Sequence, residues 1–168
     1  MKQAIVKKDI LYQPIHGDPK LSNFLFDSFT HKPIALIDLD TIQAGIIHYD
    51  IGDCLRSCCN PGGEEASNLK DVFFDINLFE AFLQGYFLIY GSHLTAKQIY
   101  YLPYSIKVIT FELGIRFLTD FLRGNVYFKV ENTSQNLYRS EVQFQLLLSI
   151  EQQMSSLFKI MQKVAKAA

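Results

Sequence analysis

The segment HGDPKLSNFLFD, His16 to Asp27, sets an imidazole, a carboxylate and a carboxamide close together, with Gly17 and Pro19 as turn-formers between them. Asp18 and Asn23 stand in the spacing D-x-x-x-x-N, and Asp38 follows in IALIDLD after the turn-rich connection SFTHKP. Asp18 taken alone also reads as an ordinary turn residue. The three together form a set suited to phosphoryl transfer, which needs little covalent help and depends on positioning, metal charge and one carboxylate aimed at the nucleophile. In that chemistry Asp18 accepts the proton of the attacking hydroxyl. Asn23 and Asp38 offer hard oxygens to Mg²⁺, which leaves its other positions to phosphate and water.

Such a set needs an element that returns Asp38 to Asn23. FLFD and IALIDLD are apolar runs around a turn containing Pro33, and they predict a β-hairpin. Beyond about residue 50 the pattern is helical. NLKDVFFDINLFEAFLQGYFLIYG carries Val72, Ile76, Phe79, Phe82, Leu83 and Phe87 at three- and four-residue spacings, with Gly91 as a stop. Thr95 predicts the cap of a short helix, AKQIYYL, and Pro103 the first turn of a new one running to Gly124. A last helix is predicted from near Leu137. The fold class is α+β, mostly α: one domain over 1–168, with a lead-in (1–13), a catalytic loop and metal-binding hairpin (14–60), and a helical substrate-binding body (61–168).

The totals exclude several function classes. The 168 residues carry a net charge of −1 with scattered bases, so there is no electrostatic footprint for nucleic acid. The 14 Phe and 9 Tyr belong to a globular composition. Cys54, Cys58 and Cys59 are too few and too close for a disulfide framework or a zinc site, and read as reduced thiols on a part-buried helix. No apolar run reaches the roughly 18 residues that span a bilayer. MKQAIVKKDI lacks the apolar core of a signal peptide, so a cytoplasmic location without membrane contact is expected.

The segments HGDPKLSNFLFD, IALIDLDTIQAGIIHYDIGDCLRS and ITFELGIRFLTDFLRGNVYFKV resemble the superfamily of aminoglycoside phosphotransferases and choline kinases, which share the protein-kinase-like fold. The branch most similar is that of the N-acetylhexosamine 1-kinase-like proteins, and the likeness spans about Pro14 to Gln153. The resemblance implies an ATP- and Mg²⁺-dependent small-molecule kinase, with Asp18 as general base and Asn23 and Asp38 as metal ligands. His16 would shape the catalytic loop. Asp50 would hydrogen-bond that loop, and local physics also reads it as a helix N-cap. Asp40 is either a carboxylate near the metal or sugar, or a solvated strand-end acid. Arg116 and Tyr127 would hold the sugar. Taken alone, Arg116 also reads as a helix C-terminal cation and Tyr127 as a core aromatic. Arg56 reads as a salt-bridge residue.

The chain resembles the C-terminal lobe alone. Few residues precede His16, and there is no G-x-G-x-x-G and no lysine suited to nucleotide binding; Lys2, Lys7 and Lys8 sit in the lead-in. Negligible kinase turnover by these residues alone is therefore expected, whether they are a fragment, a truncated reading frame or half of a split enzyme. The uncovered lobe face should find a partner, either a second copy or a separate N-terminal lobe chain. Two alternatives stay open: a non-catalytic sugar-binding or regulatory module, and a kinase for choline, homoserine or an aminoglycoside. A cationic substrate needs an acidic or aromatic cage. Glu131, Glu141 and Glu151 are scattered, and Arg116 repels a cation, which favours a neutral sugar.

Overall fold

Among the described residues, four short strands lead into four α-helices: β1 (Gln13–Ile15), β2 (Phe24–Phe26), β3 (Pro33–Leu36), β4 (Gln43–Gly45), α1 (Ile47–Cys58), α2 (Ile76–Tyr90), α3 (Ala96–Leu122) and α4 (Gln135–Ala167). The computed structural model describes residues 10–167, so Lys2, Lys7 and Lys8 lie outside the described residues. The predicted hairpin is β2–β3, antiparallel, with Phe24 opposite Leu36 and an irregularity between Leu25 and Phe26. A second antiparallel pair joins β1 to β4, with Ile15 opposite Gln43. The β1–β4 pair encloses the hairpin in sequence, so the catalytic loop after β1 and the turn before β4 are brought side by side.

Apolar residues at helical spacing build the core. Phe79, Leu83 and Phe87 of α2, Leu102 and Ile106 of α3, and Val142, Leu146 and Ile150 of α4 are all buried in one cluster with Ile51 and Leu55 of α1. Gly52 lets α1 close on α3, because a Cβ there would lie 3.0 Å from the Ser105 backbone. The hairpin is the opposite case: Leu25, Phe26 and Ile34 are exposed, and Phe29 is 91% exposed.

Two helix boundaries differ from those predicted. The stretch from Asn68 does not open as α-helix. Leu69–Asp71 forms a single 3₁₀ turn, and α2 starts at Ile76, where the Asp75 carboxylate accepts from the Asn77 and Leu78 amides. Pro103 does not start a new helix. It lies buried inside the single 27-residue α3, which opens with a capping box of Thr95 and Gln98. An internal proline costs about 3 kcal/mol. Leu102 and Ile106 on either side of it are fully buried, and their packing outweighs that cost.

His48 of α1 is buried, and its Nε2–H donates to the Gln98 carbonyl at 2.9 Å while Nδ1 has no partner. Burial holds the imidazole below its ordinary value, against the hydrogen bond to Gln98. The unfolded imidazole takes up its proton near 6.5, and the folded one only at lower pH. Between those values the unfolded state binds more protons, so stability falls as pH drops below the unfolded value. The unfolding free energy read from urea titrations is expected to decline from pH 7 to pH 5, with a slope approaching about 1.4 kcal/mol per pH unit. His48→Gln should flatten the decline, and an equal slope in the variant would sink this assignment.

Candidate active site

The catalytic loop is held from several sides. The amides of His16 and Gly17 donate to the two Asp50 carboxylate oxygens at 2.7 and 2.9 Å. Asp50 is therefore not the N-cap of α1, a position taken by Ile46; it sits in the first turn and spends its carboxylate on the loop. The Asp18 amide donates to His16 Nδ1 at 3.3 Å, so the ring proton is on Nε2, which donates to the Ile37 carbonyl at 2.9 Å. Thr41 Oγ1 closes the loop onto the turn by donating to the His16 carbonyl. Gly17 has φ 89°, and a Cβ there would lie 2.6 Å from the Thr41 carbonyl oxygen, so no other residue fits.

Asn23 and Asp38 meet through the backbone. The Ile37 amide donates to the Asn23 carbonyl at 2.9 Å, which sets Asp38 immediately beyond Asn23. Asp38 has φ 68° and ψ 55°, a left-handed conformation uncommon for a residue with a Cβ, and starts the 3₁₀ turn Leu39–Thr41. Asn23 Nδ2 donates to the Asp18 carbonyl at 2.7 Å and to Asp18 Oδ2 at 3.2 Å, which turns its Oδ1 away from Asp18. One carboxamide oxygen and the exposed Asp38 carboxylate form a donor set that fits Mg²⁺. Among the described residues there is no cluster of three or more His, Cys, Asp or Glu suited to a metal. Asp40 is exposed in the same turn, takes no hydrogen bond among the described residues and does not line the cavity described next.

Asp18 opens into a cavity of about 700 Å³ between the loop, α1, α3 and the segment after α3. Arg116 and Tyr127 line it too, so three of the residues singled out from the sequence share one space. The Arg116 guanidinium lies 5.7 Å from the Tyr127 ring centre and 5.4 Å from that of Phe128. Tyr127 is 74% exposed and is not a core aromatic. Asn23 and Asp38 do not line the cavity, although Asn23 hydrogen-bonds Asp18, which does.

A sequence profile of the phosphotransferase enzyme family matches residues 6–95, more than half of the chain. The chain belongs to the phosphotransferase enzyme family. That is the superfamily of aminoglycoside phosphotransferases and choline kinases, whose members act on small substrates. The matched region takes in the catalytic loop, the hairpin, α1 and α2 of this phosphotransferase. Arg116, Tyr127 and most of the cavity's far wall lie beyond it.

At the phosphotransferase site, Lys20, Asp53 and Glu64 had no role in the sequence reading, while Arg56 is the salt-bridge residue expected from the sequence. Lys20 pairs with Asp18 Oδ2 at 2.6 Å. Burial opposes its charge, but the hydrogen bond to Asp18 and the carboxylates of Asp18, Glu64 and Asp53 outweigh burial and raise the ammonium above its ordinary range. The signal available was the spacing D-P-K. Arg56 is only 2% exposed and joins Asp53 (2.7 Å) to Glu64 (2.6 Å) in the cavity wall. Burial pushes the Asp53 carboxyl up, with Arg56 opposing. The next residue, Glu65, pairs instead with Arg139 of α4, on the other side of the cavity. Of the three free thiols, Cys54 and Cys58 touch at 3.7 Å on α1, and Cys59 caps its end.

Proposed function

We propose that this chain is the catalytic, acceptor-binding lobe of an ATP- and Mg²⁺-dependent kinase for a small neutral sugar, of the N-acetylhexosamine 1-kinase-like kind. The observation that carries the reading is that Asp18 opens into the same cavity as Arg116 and Tyr127. An acceptor lying along Tyr127 and the Arg116 fork presents a hydroxyl to the Asp18 carboxylate. Asp18 takes the hydroxyl proton as the new O–P bond forms and the bond to the leaving diphosphate breaks. Asn23 and Asp38 would hold the metal, which would supply charge to the transferring phosphoryl group. Lys20 steadies Asp18 and adds positive charge beside it. The exposed hairpin face, with Phe29 and Ile34, is the surface for a nucleotide lobe or a second copy. Without that lobe these residues alone turn over negligibly. Of the cavity carboxylates, Asp53 and Glu64 are taken by Arg56 and Asp18 by Lys20, while Glu112 is exposed in the same wall, so the case against a cationic acceptor rests on the charge of Arg116 beside Tyr127.

Saturation-transfer NMR tests the acceptor class, with N-acetylglucosamine, N-acetylgalactosamine, glucose and choline as probes. Transfer to an N-acetylhexosamine is expected, with loss of the signal in Arg116→Ala. Preference for choline, or an N-acetylhexosamine signal indifferent to Arg116→Ala, would refute the reading.

A further inference from the structure

The far wall of the cavity is a segment without helix or strand, and one carboxylate gathers most of its backbone amide bonds. Asp120, in the last turn of α3, is 5% exposed and sends its carboxylate into the loop that follows. Oδ1 accepts from the Val126 amide at 3.0 Å and the Tyr127 amide at 2.9 Å; Oδ2 accepts from the Phe128 amide and from Asn136 Nδ2, each at 2.9 Å. Three consecutive backbone amides thus converge on one carboxylate. The Asn125 amide also returns to the Asp120 carbonyl at 2.8 Å. Burial alone would raise the Asp120 carboxyl, but the Phe128, Tyr127 and Val126 amides and the charge of Arg123 hold it below the ordinary range.

Tyr127 is not fixed by burial, so its place depends on its backbone. The same backbone carries Phe128, and both rings face Arg116. A second layer braces the first. Arg139 donates to Asn136 Oδ1 at 3.0 Å and to the Lys129 carbonyl at 2.9 Å, and pairs with Glu65. A wall set in advance spares a ligand the cost of ordering it.

We propose that Asp120 is the positioning residue of the acceptor wall, holding Tyr127 and Phe128 against Arg116 so that the cavity meets its ligand preformed. This rests on the reading of the cavity as an acceptor site. Asp120 touches no reacting group; it acts through the two rings. An Asn in its place keeps one acceptor oxygen but turns an N–H₂ towards the Phe128 amide and Asn136, donor against donor.

Amide hydrogen exchange and saturation-transfer NMR with N-acetylglucosamine, run on the same samples, test this. In the unchanged chain the amides of 126–128 should exchange slowly. Asp120→Asn should speed them by about tenfold or more and weaken the sugar by about tenfold, with the buried turns of α3 and α4 unaffected. Asn136→Ala, which leaves the three amide bonds in place, should give a smaller change in the same direction and decides the matter if Asp120→Asn does not fold. Unchanged exchange at 126–128 in a folded variant overturns the proposal. So does loosened exchange with undiminished sugar binding. If the unchanged chain binds no sugar while 126–128 still depend on Asp120, the acceptor reading fails and the positioning claim falls with it, leaving only a loop clamp.

Discussion

Asp18→Asn is expected to lower phosphoryl transfer by about 10²–10⁴-fold, the range that a positioned general base supplies. The substitution is close to isosteric and leaves an oxygen to face Lys20, so the loop should keep its shape through Asp50, Thr41 and the His16 ring. The loss should therefore fall on kcat, with the acceptor's KM little changed, because the carboxylate's advantage arises only as the hydroxyl gives up its proton. Turnover is read with MgATP and an N-acetylhexosamine, in this chain supplied with a nucleotide lobe. A variant keeping more than about a tenth of the rate would remove Asp18 from the role of base.

Arg56→Ala should be strongly destabilising. Arg56 has the exposure of a core residue, and its two carboxylate partners point into the cavity wall. Removing it leaves Asp53, whose side chain is largely shielded at 15% exposure, without its counter-charge, a situation that costs about 3 kcal/mol or more. For a chain of this length that is about 10 °C in Tm. Arg56→Lys should recover part of this, since an ammonium keeps the charge but not the planar fork that reaches both acids. The exposed pair Lys163–Glu80, 2.7 Å apart, is the control: Lys163→Ala should cost less than about 1 kcal/mol. Calorimetry on the three variants separates the cases, and an Arg56→Ala loss as small as that of Lys163→Ala would show the network to be an incidental contact.

The contrast between Asp18 and Asp120 explains what could be read from the sequence. Asp18, Asn23 and Asp38 are legible because their spacing is imposed by a short loop and a hairpin, which are local structures with local signals. Asp120 has no such signal. Its partners are backbone amides that any sequence would supply, together with Asn136 on the next helix. Pro103 misled because proline's local preference is a helix start, and only the burial of Leu102 and Ile106 on both sides keeps α3 continuous. Arg56 was recognisable as a pairing residue, but its burial depends on where Glu64 comes to lie. The helical runs of α2 and α4 were readable, while the true start of α2 required recognising Asp75 as its cap.

Glu64 and Glu65 are adjacent, yet one grips Arg56 on α1 and the other Arg139 on α4. Neighbouring Cα atoms are 3.8 Å apart across a trans peptide. A single peptide unit therefore ties α1, whose Asp50 holds the catalytic loop, to α4, whose Arg139 holds the Lys129 carbonyl in the segment that carries Tyr127. Insertion of one glycine between the two acids would lengthen that tie, and the two sides of the cavity should then move more independently of each other.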